Sequence, residues 1–489
     1  MNSTSLSSQP SKSANSCQTI ITQSGVKFGT SGARGLVTDF TDDVCYAFAK
    51  AFIQDIRTRF SFDTMAFAID NRPSSPQMAA ACIAAAIDAG FQVEYYGVCP
   101  TPALAFVAMQ DNQPCIMITG SHIPFDRNGL KFYRPDGEIT KIDEQGILTT
   151  SATQSAKLTI APLPPVNPQG ALRYAKRHTE AFPSDFLHGK KIGIFEHSSA
   201  GRDIYADLFR QLGADVIALE RTDTFVPIDT EAVGEEDKLK ALNWSKAHQF
   251  DMIFSTDGDG DRPLLSDEHG QWLRGDIVGL LTAQALNIDA LAVPVSCNTA
   301  IEMSNNFSQV QRTQIGSPYV IEAFAGLSQA HHRVAGFEAN GGFLLGSDVT
   351  INDTLIHALP TRDALLPAMM LLSLSIQQGR GISTLVADLP QRFTHSDRIQ
   401  EMPTNKSQAL LIDLESQPNI LLTQMGLDEA VTSHNTIDGL RLTLSSGNIV
   451  HLRPSGNAPE LRCYAESHDE NQAQALVENA LHAIQQLLK

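Results

Sequence analysis

The sequence predicts an α/β protein of several domains, and three observations predict it. The chain has 489 residues. A single hydrophobic core stops growing well before that length, so three or four domains are expected. Short β-rich runs alternate with longer segments of helical period through the first three quarters, the pattern of layered α/β units. Past about residue 390 this gives way to a hairpin-like pair, a strand and one long helix, which predicts a separate α+β domain.

The elements follow in order. Residues 1–25 are Ser-rich and lack the apolar core of a signal peptide, so they read as a disordered tail. Residues 26–166 form the first α/β unit. TMAFAID (64–70) reads as a buried strand, PQMAAACIAAAIDAG (76–90) as an Ala-rich helix closed by Gly90, and VEYYGV (93–98) and CIMITG (115–120) as the next strands. APLPPVNPQG (161–170), with its four prolines, reads as a linker. A second unit, 167–273, opens with KKIGIFEHSSAGRD, continues into the helix IYADLFRQLGA and reaches the strand DMIFS. The third, 274–390, holds LAVPV and HRVAGFEANGG. The fourth, 391–489, holds the pair GLRLTLSSGNIVHLRPSG, the strand LRCYAE and the helix from residue 470 onward. No internal repeat is visible in the sequence. The apolar stretch 365–376 is too short to span a bilayer and contains serines and a proline, so it predicts a buried helix.

A formal net charge of −18 argues against nucleic-acid or anionic-membrane partners, which need a basic face. It leaves room for a phosphorylated small molecule, because a few cations and backbone N–H groups in one cleft suffice. Seven scattered cysteines with no C-x-x-C spacing predict free thiols in a reducing compartment. A cytoplasmic protein is expected.

Four stretches carry chemistry. In TGSHIPFDRNGLKFY (119–133) an apolar strand delivers Ser121 onto a loop. A serine hydroxyl accepts phosphate only beside a proton acceptor and cations, for which His122 and Lys131 are the local candidates. In STDGDGDRP (255–263) the carboxylates Asp257, Asp259 and Asp261 alternate with glycines and can turn toward one point, offering the hard oxygens that Mg²⁺ or Ca²⁺ prefers. A calcium EF-hand is disfavoured. Glu268 falls at the twelfth position of that pattern, but Arg262 stands where it needs glycine and a strand precedes the loop. Arg262 reads instead as a cation beside a phosphate. In HLRPSGNAPELRCY (451–464) an arginine precedes a Ser-Gly-Asn turn, which makes either a phosphate nest or an ordinary hairpin turn. In GFEANGG (336–342) Glu338 can accept from two sugar hydroxyls and Asn340 can both donate and accept.

In this order and at these separations, the four stretches resemble the α-D-phosphohexomutase family of phosphomannomutases, phosphoglucomutases and phosphoglucosamine mutases. The match runs from about Phe28 to the C-terminus. The resemblance implies a four-domain phosphohexomutase architecture, with three related α/β domains and a C-terminal α+β domain around a central cleft. It implies an isomerase that interconverts mannose 6-phosphate and mannose 1-phosphate through a phosphoserine and a sugar 1,6-bisphosphate, with Mg²⁺ as cofactor. Glucose or glucosamine phosphate is the alternative substrate, and a silent sugar-phosphate or calcium-binding relative the alternative from another class. Partners would be hexose phosphates alone, and the protein a monomer or homodimer.

Carried over by motif, Ser121 holds the phosphoryl group and ligates the metal with Asp257, Asp259 and Asp261. Arg34, in FGTSGARG (28–35), reaches into the active site, and Lys131 is a candidate acid/base beside His122. Arg262 lies close by, Glu338 and Asn340 bind the sugar, and Arg453, Ser455, Gly456 and Asn457 grip the phosphate that is not reacting. The chain departs from the family in several places. Gly120 and Ile123 flank Ser121 and His122 where many relatives have alanine and asparagine. Asn340 and Gly342 stand where some mutases carry serine and histidine, so a role for that histidine does not transfer. Asn457 replaces a threonine, and EHSSAG (196–201) lacks the usual G-N-G turn.

Overall fold

The computed structural model describes residues 15–30, 32–455 and 460–488. It divides into two compact units. One holds residues 15–28 and 32–171, and the other holds residues 172–488 with 29 and 30.

In the first unit the strands Thr64–Ile69, Gln92–Val98 and Cys115–Ile118 run parallel, with Thr64–Ile69 between the other two. Arg127–Arg134 then pairs antiparallel on Cys115–Ile118, and Ala33–Leu36 and Lys27–Phe28 extend that edge. Apolar runs with no polar alternation produce such strands because helices cover both faces. The helices Asp42–Ile56 and Ser75–Asp88 pack here, and Phe52 meets Phe132 with ring centroids 5.1 Å apart.

The second unit repeats the same wiring twice. Lys191–Phe195 lies between parallel Asp215–Leu219 and Met252–Thr256, and Pro263–Leu265 pairs antiparallel on the last. Ala290–Pro294 lies between Gln309–Thr313 and Val334–Phe337, and Phe343–Leu345 pairs antiparallel on the last. The threefold repeat invisible in the sequence is therefore plain in the topology. It survives because layering needs only apolar strands and amphipathic helices, not particular residues. A five-stranded antiparallel sheet, ordered Phe393–Ile399, Leu461–Ser467, Ile449–Pro454, Leu440–Leu444, Val431–Asn435, completes the chain, with helix Glu470–Leu487 against it.

One expectation changes. The predicted tail, 1–25, is ordered from residue 15. Asn15–Ser16 pairs with Thr153–Gln154, and helix Cys17–Gln23 follows with Ser16 as its N-cap. Cys17 and Ile21, one helical turn apart, bury in the core of the first unit, a pairing too short to stand out in a Ser-rich segment. Residues 1–14 lie outside the described residues. In the proline-rich stretch read as a linker, the Asn167 N–H donates to the Tyr95 carbonyl at 2.7 Å and its side-chain amide to Glu94 at 2.6 Å. The predicted apolar helix forms over Leu365–Gln378, and no described helix is long and apolar enough to cross a membrane.

Candidate active site

In all three α/β sheets the polar loop of interest joins the third parallel strand to its antiparallel partner. In the first unit that loop is 119–126. Ser121 is fully buried and sits at φ 56°, a left-handed conformation that a non-glycine residue adopts only when its surroundings hold it there. Its N–H donates to Thr119 Oγ1 at 2.8 Å, and the Thr119 hydroxyl donates to Asp70 at 2.8 Å. The Ser121 hydroxyl lies 3.4 Å from His122 Nδ1.

The hub of this loop is Arg72, which the sequence reading passed over. Its Nε donates to Asp70 at 3.1 Å, Nη1 to the carbonyls of Pro124 (2.8 Å) and Arg127 (3.0 Å), and Nη2 to those of Ser121 (2.9 Å) and Ile123 (2.6 Å). One guanidinium thus ties together the carbonyls of the turn. A Cβ on Gly120 would come within 2.7 Å of Arg72 Cζ, so glycine lets the guanidinium sit against this turn. The signal was available: Asp70 and Arg72 stand at the carboxyl end of a central parallel strand, where α/β sheets place ligands. Lys131, buried on Arg127–Arg134, is in register with Met117 on the strand leading to Ser121. Arg34 is in register with Gly129 on the other side of that strand. Arg34, Lys131, Ser121 and His122 therefore belong to adjoining strands and one loop.

In the second unit the loop 257–262 is closed by the Asp257 N–H donating to the Arg262 carbonyl at 3.1 Å, and Gly260 supplies the positive φ of its turn. Asp257, Asp259 and Asp261 are fully buried, and each offers a carboxylate oxygen within 4.8 Å of the others. Arg262 Nε lies 3.9 Å from Asp257 and 3.7 Å from Asp261. Burial and Arg362 both work against the Arg262 charge, yet the surrounding carboxylates hold its pKa above the ordinary value. Two guanidiniums, Arg262 and Arg362, face four buried carboxylates, the three aspartates and Glu338. A divalent cation would neutralise the excess, and an all-oxygen donor set suits a hard one. The EHSSAG stretch buttresses this loop: the Ala200 N–H donates to the Gly258 carbonyl at 2.9 Å, and His197 Nε2 lies 2.9 Å from the Thr256 carbonyl. Glu268, the would-be EF-hand ligand, instead accepts from the Ser383 N–H and hydroxyl.

The loop 338–342 occupies the equivalent place in the next sheet. Glu338 is buried and accepts from Arg362 at 2.8 Å. Asn340 accepts from the Gly342 N–H at 3.0 Å, so part of its side chain shapes its own turn. In the last sheet Arg453 Nε lies 2.8 Å from Asp438, which also accepts from the Ile315 N–H at 3.0 Å. The buried Ser455 donates from its N–H to the Glu460 carbonyl. Gly456 and Asn457 lie outside the described residues.

Three domain models of phosphoglucomutase/phosphomannomutase match the chain: alpha/beta/alpha domain I over residues 25–157, alpha/beta/alpha domain III over 274–393, and the C-terminal domain over 405–483. A phosphomannomutase of Salmonella muenchen is 55% identical over 475 residues, 96% of this chain and 98% of that one. The chain belongs to the α-D-phosphohexomutase family. A second phosphomannomutase, from Sinorhizobium fredii, is 40% identical over 94% of this chain and 98% of its own length. A solved phosphoglucomutase/phosphomannomutase family protein of Burkholderia thailandensis shares the fold, with a TM-score of 0.74 at 21% identity, covering 95% of this chain and 98% of that one. Within this phosphohexomutase the three α/β sheets present a serine turn, an aspartate loop and a glutamate loop at equivalent positions.

Proposed function

We propose that the chain is a magnesium-dependent phosphomannomutase, interconverting mannose 6-phosphate and mannose 1-phosphate. One observation carries the reading: a chain that matches a relative named phosphomannomutase almost end to end keeps, in its own fold, the serine turn and the three-carboxylate loop. Phosphorylated Ser121 would donate its phosphoryl group to the free C1 or C6 hydroxyl. The serine Oγ–P bond breaks, a P–O bond to the sugar forms, and the hydroxyl proton passes to a base, for which Lys131 and His122 are the candidates. The resulting sugar 1,6-bisphosphate turns end for end, and Ser121 takes back the other phosphate.

Asp257, Asp259, Asp261 and the phosphoserine would hold Mg²⁺, which when bound would offset phosphate charge during transfer. Arg34 and Arg262 would hold the reacting phosphate. Glu338 and Asn340 would orient the sugar hydroxyls, and Arg453, Ser455, Gly456 and Asn457 would grip the distal phosphate. Ser121→Ala deletes the carrier and only one hydroxyl, so turnover should drop by several orders of magnitude while the melting temperature stays put. Intact-mass spectrometry should show the phosphate adduct of the wild type missing from the variant. A variant that turns over mannose 1-phosphate at the wild-type rate would remove the phosphoserine from the mechanism.

A further inference from the structure

Glycine at 342, where some relatives carry histidine, has a partner elsewhere in the chain. A Cβ built on Gly342 would lie 2.4 Å from Arg362 Cδ and 2.6 Å from Cγ, so any side chain at 342 requires the arginine to move. The Arg362 stem already fills that space. Arg362 arrives there because its strand, Leu359–Asp363, pairs with Phe343–Leu345, the strand that leaves the glutamate loop, with Phe343 in register with Asp363. Its side chain is 2% exposed. Nε donates to Asp261 Oδ2 at 3.0 Å and Nη1 to Glu338 Oε2 at 2.8 Å. One planar fork therefore joins a carboxylate of the aspartate loop to the carboxylate of the glutamate loop.

We propose that Arg362 is a positioning residue: it sets the direction of the Glu338 carboxylate by anchoring it to Asp261, and glycine at 342 is what admits it. The proposal rests on Glu338 being the acceptor for sugar hydroxyls. A buried carboxylate beside three aspartates has no reason to hold one rotamer unaided. With Oε2 engaged by a rigid fork, its remaining lone pairs point in fixed directions, which lowers the cost of ordering the site when sugar binds. Lysine would keep the charge but not the geometry, because a single ammonium lacks the planar pair of donors.

The experiment measures mannose 1-phosphate binding calorimetrically on full-length, EDTA-treated protein, with the melting temperature followed in parallel. Glu338→Ala, Arg362→Ala, their double variant, Arg362→Lys and Gly342→Ala are compared with wild type. Expected is a roughly tenfold to hundredfold loss in Glu338→Ala and in Arg362→Ala, the range for a charge-assisted contact. The double variant should bind no worse than Glu338→Ala alone, because Arg362 acts through Glu338. Gly342→Ala should weaken binding by displacing the arginine. If Glu338→Ala weakens binding and the Arg362 variants do not, or if the two losses simply add, Arg362 is packing and the proposal fails while Glu338 keeps its role. If Glu338→Ala itself binds normally, the sugar assignment of that loop falls and takes this proposal with it. Should Arg362→Ala not fold, Arg362→Lys and Gly342→Ala decide: wild-type binding in both overturns the proposal.

Discussion

Arg72 shows how much one side chain can determine. A serine in a left-handed turn, buried and between strands, is under conformational strain that something must offset. The guanidinium offsets it: its donors are spread over Asp70, three carbonyls of the loop and that of Arg127, the first residue of the next strand. Burial raises the Asp70 carboxyl, while Arg72, Ser75 and Thr119 pull it back toward the charged form. Arg72→Met would leave that carboxylate buried and unpaired, a loss of about 3–5 kcal/mol. Arg72→Lys is the gentler test. An ammonium has three donors and no fork, so the carbonyls of Ser121 and Ile123 compete for it. Arg72→Lys should fold yet accept phosphate at Ser121 about tenfold to hundredfold more slowly, each lost charge-assisted contact being worth about 1.5–3 kcal/mol. Intact-mass time courses with glucose 1,6-bisphosphate read that rate directly. An unchanged rate would mean that the turn holds its shape without the arginine.

At the scale of the element, the candidate site residues cluster on the loop between a third parallel strand and its antiparallel neighbour. These loops were legible in the sequence because each combines glycines with polar residues directly after an apolar run, as in STDGDGDRP and TGSHIP. What joins one loop to another was not legible. Arg72, two residues after Asp70, reaches the serine loop because Thr64–Ile69 pairs with Cys115–Ile118, and Arg362 reaches Glu338 because its strand pairs with Phe343–Leu345. The aspartate loop makes a prediction of opposite sign under two conditions. Without metal, three buried carboxylates repel one another, so Asp259→Asn should raise the melting temperature of the EDTA-treated protein. With millimolar Mg²⁺ the order should reverse, because the wild type gains binding free energy that the variant largely lacks. Scanning fluorimetry in both buffers checks the crossing. Parallel shifts of the same sign in both would take the metal away from this loop.

For the whole molecule, composition and layering foretold the class of fold, and the seven cysteines read as free thiols are all buried and unbridged. Burial pushes the Cys17 thiol up to about 11 and Cys99 to about 12, which makes them poor nucleophiles. The ordered N-terminal helix was missed because its lead-in strand, Asn15–Ser16, pairs with Thr153–Gln154, far along the chain. The same long-range burial governs acid stability. His197, in the turn after Lys191–Phe195, and His451, on the strand Ile449–Pro454, are both buried, each with Nε2 against a backbone carbonyl, that of Thr256 or of Asp438. Burial, partly offset by these hydrogen bonds, holds both near a pKa of about 4. In the unfolded chain a histidine titrates near 6.5, so below that pH the unfolded state gains protons that the folded state refuses until about 4. Stability is therefore full above about 6.5, falls as the pH drops toward 4, and loses up to about 3 kcal/mol per histidine. His451→Gln keeps an N–H for the Asp438 carbonyl but cannot titrate. Its urea midpoint should sit near or below the wild type at pH 7.5 and change less between pH 6.5 and 4.5, read by fluorescence and by protease susceptibility of the C-terminal domain. Equal slopes for variant and wild type would show that His451 takes up no proton on unfolding in that range, and the acid sensitivity would then have to originate elsewhere.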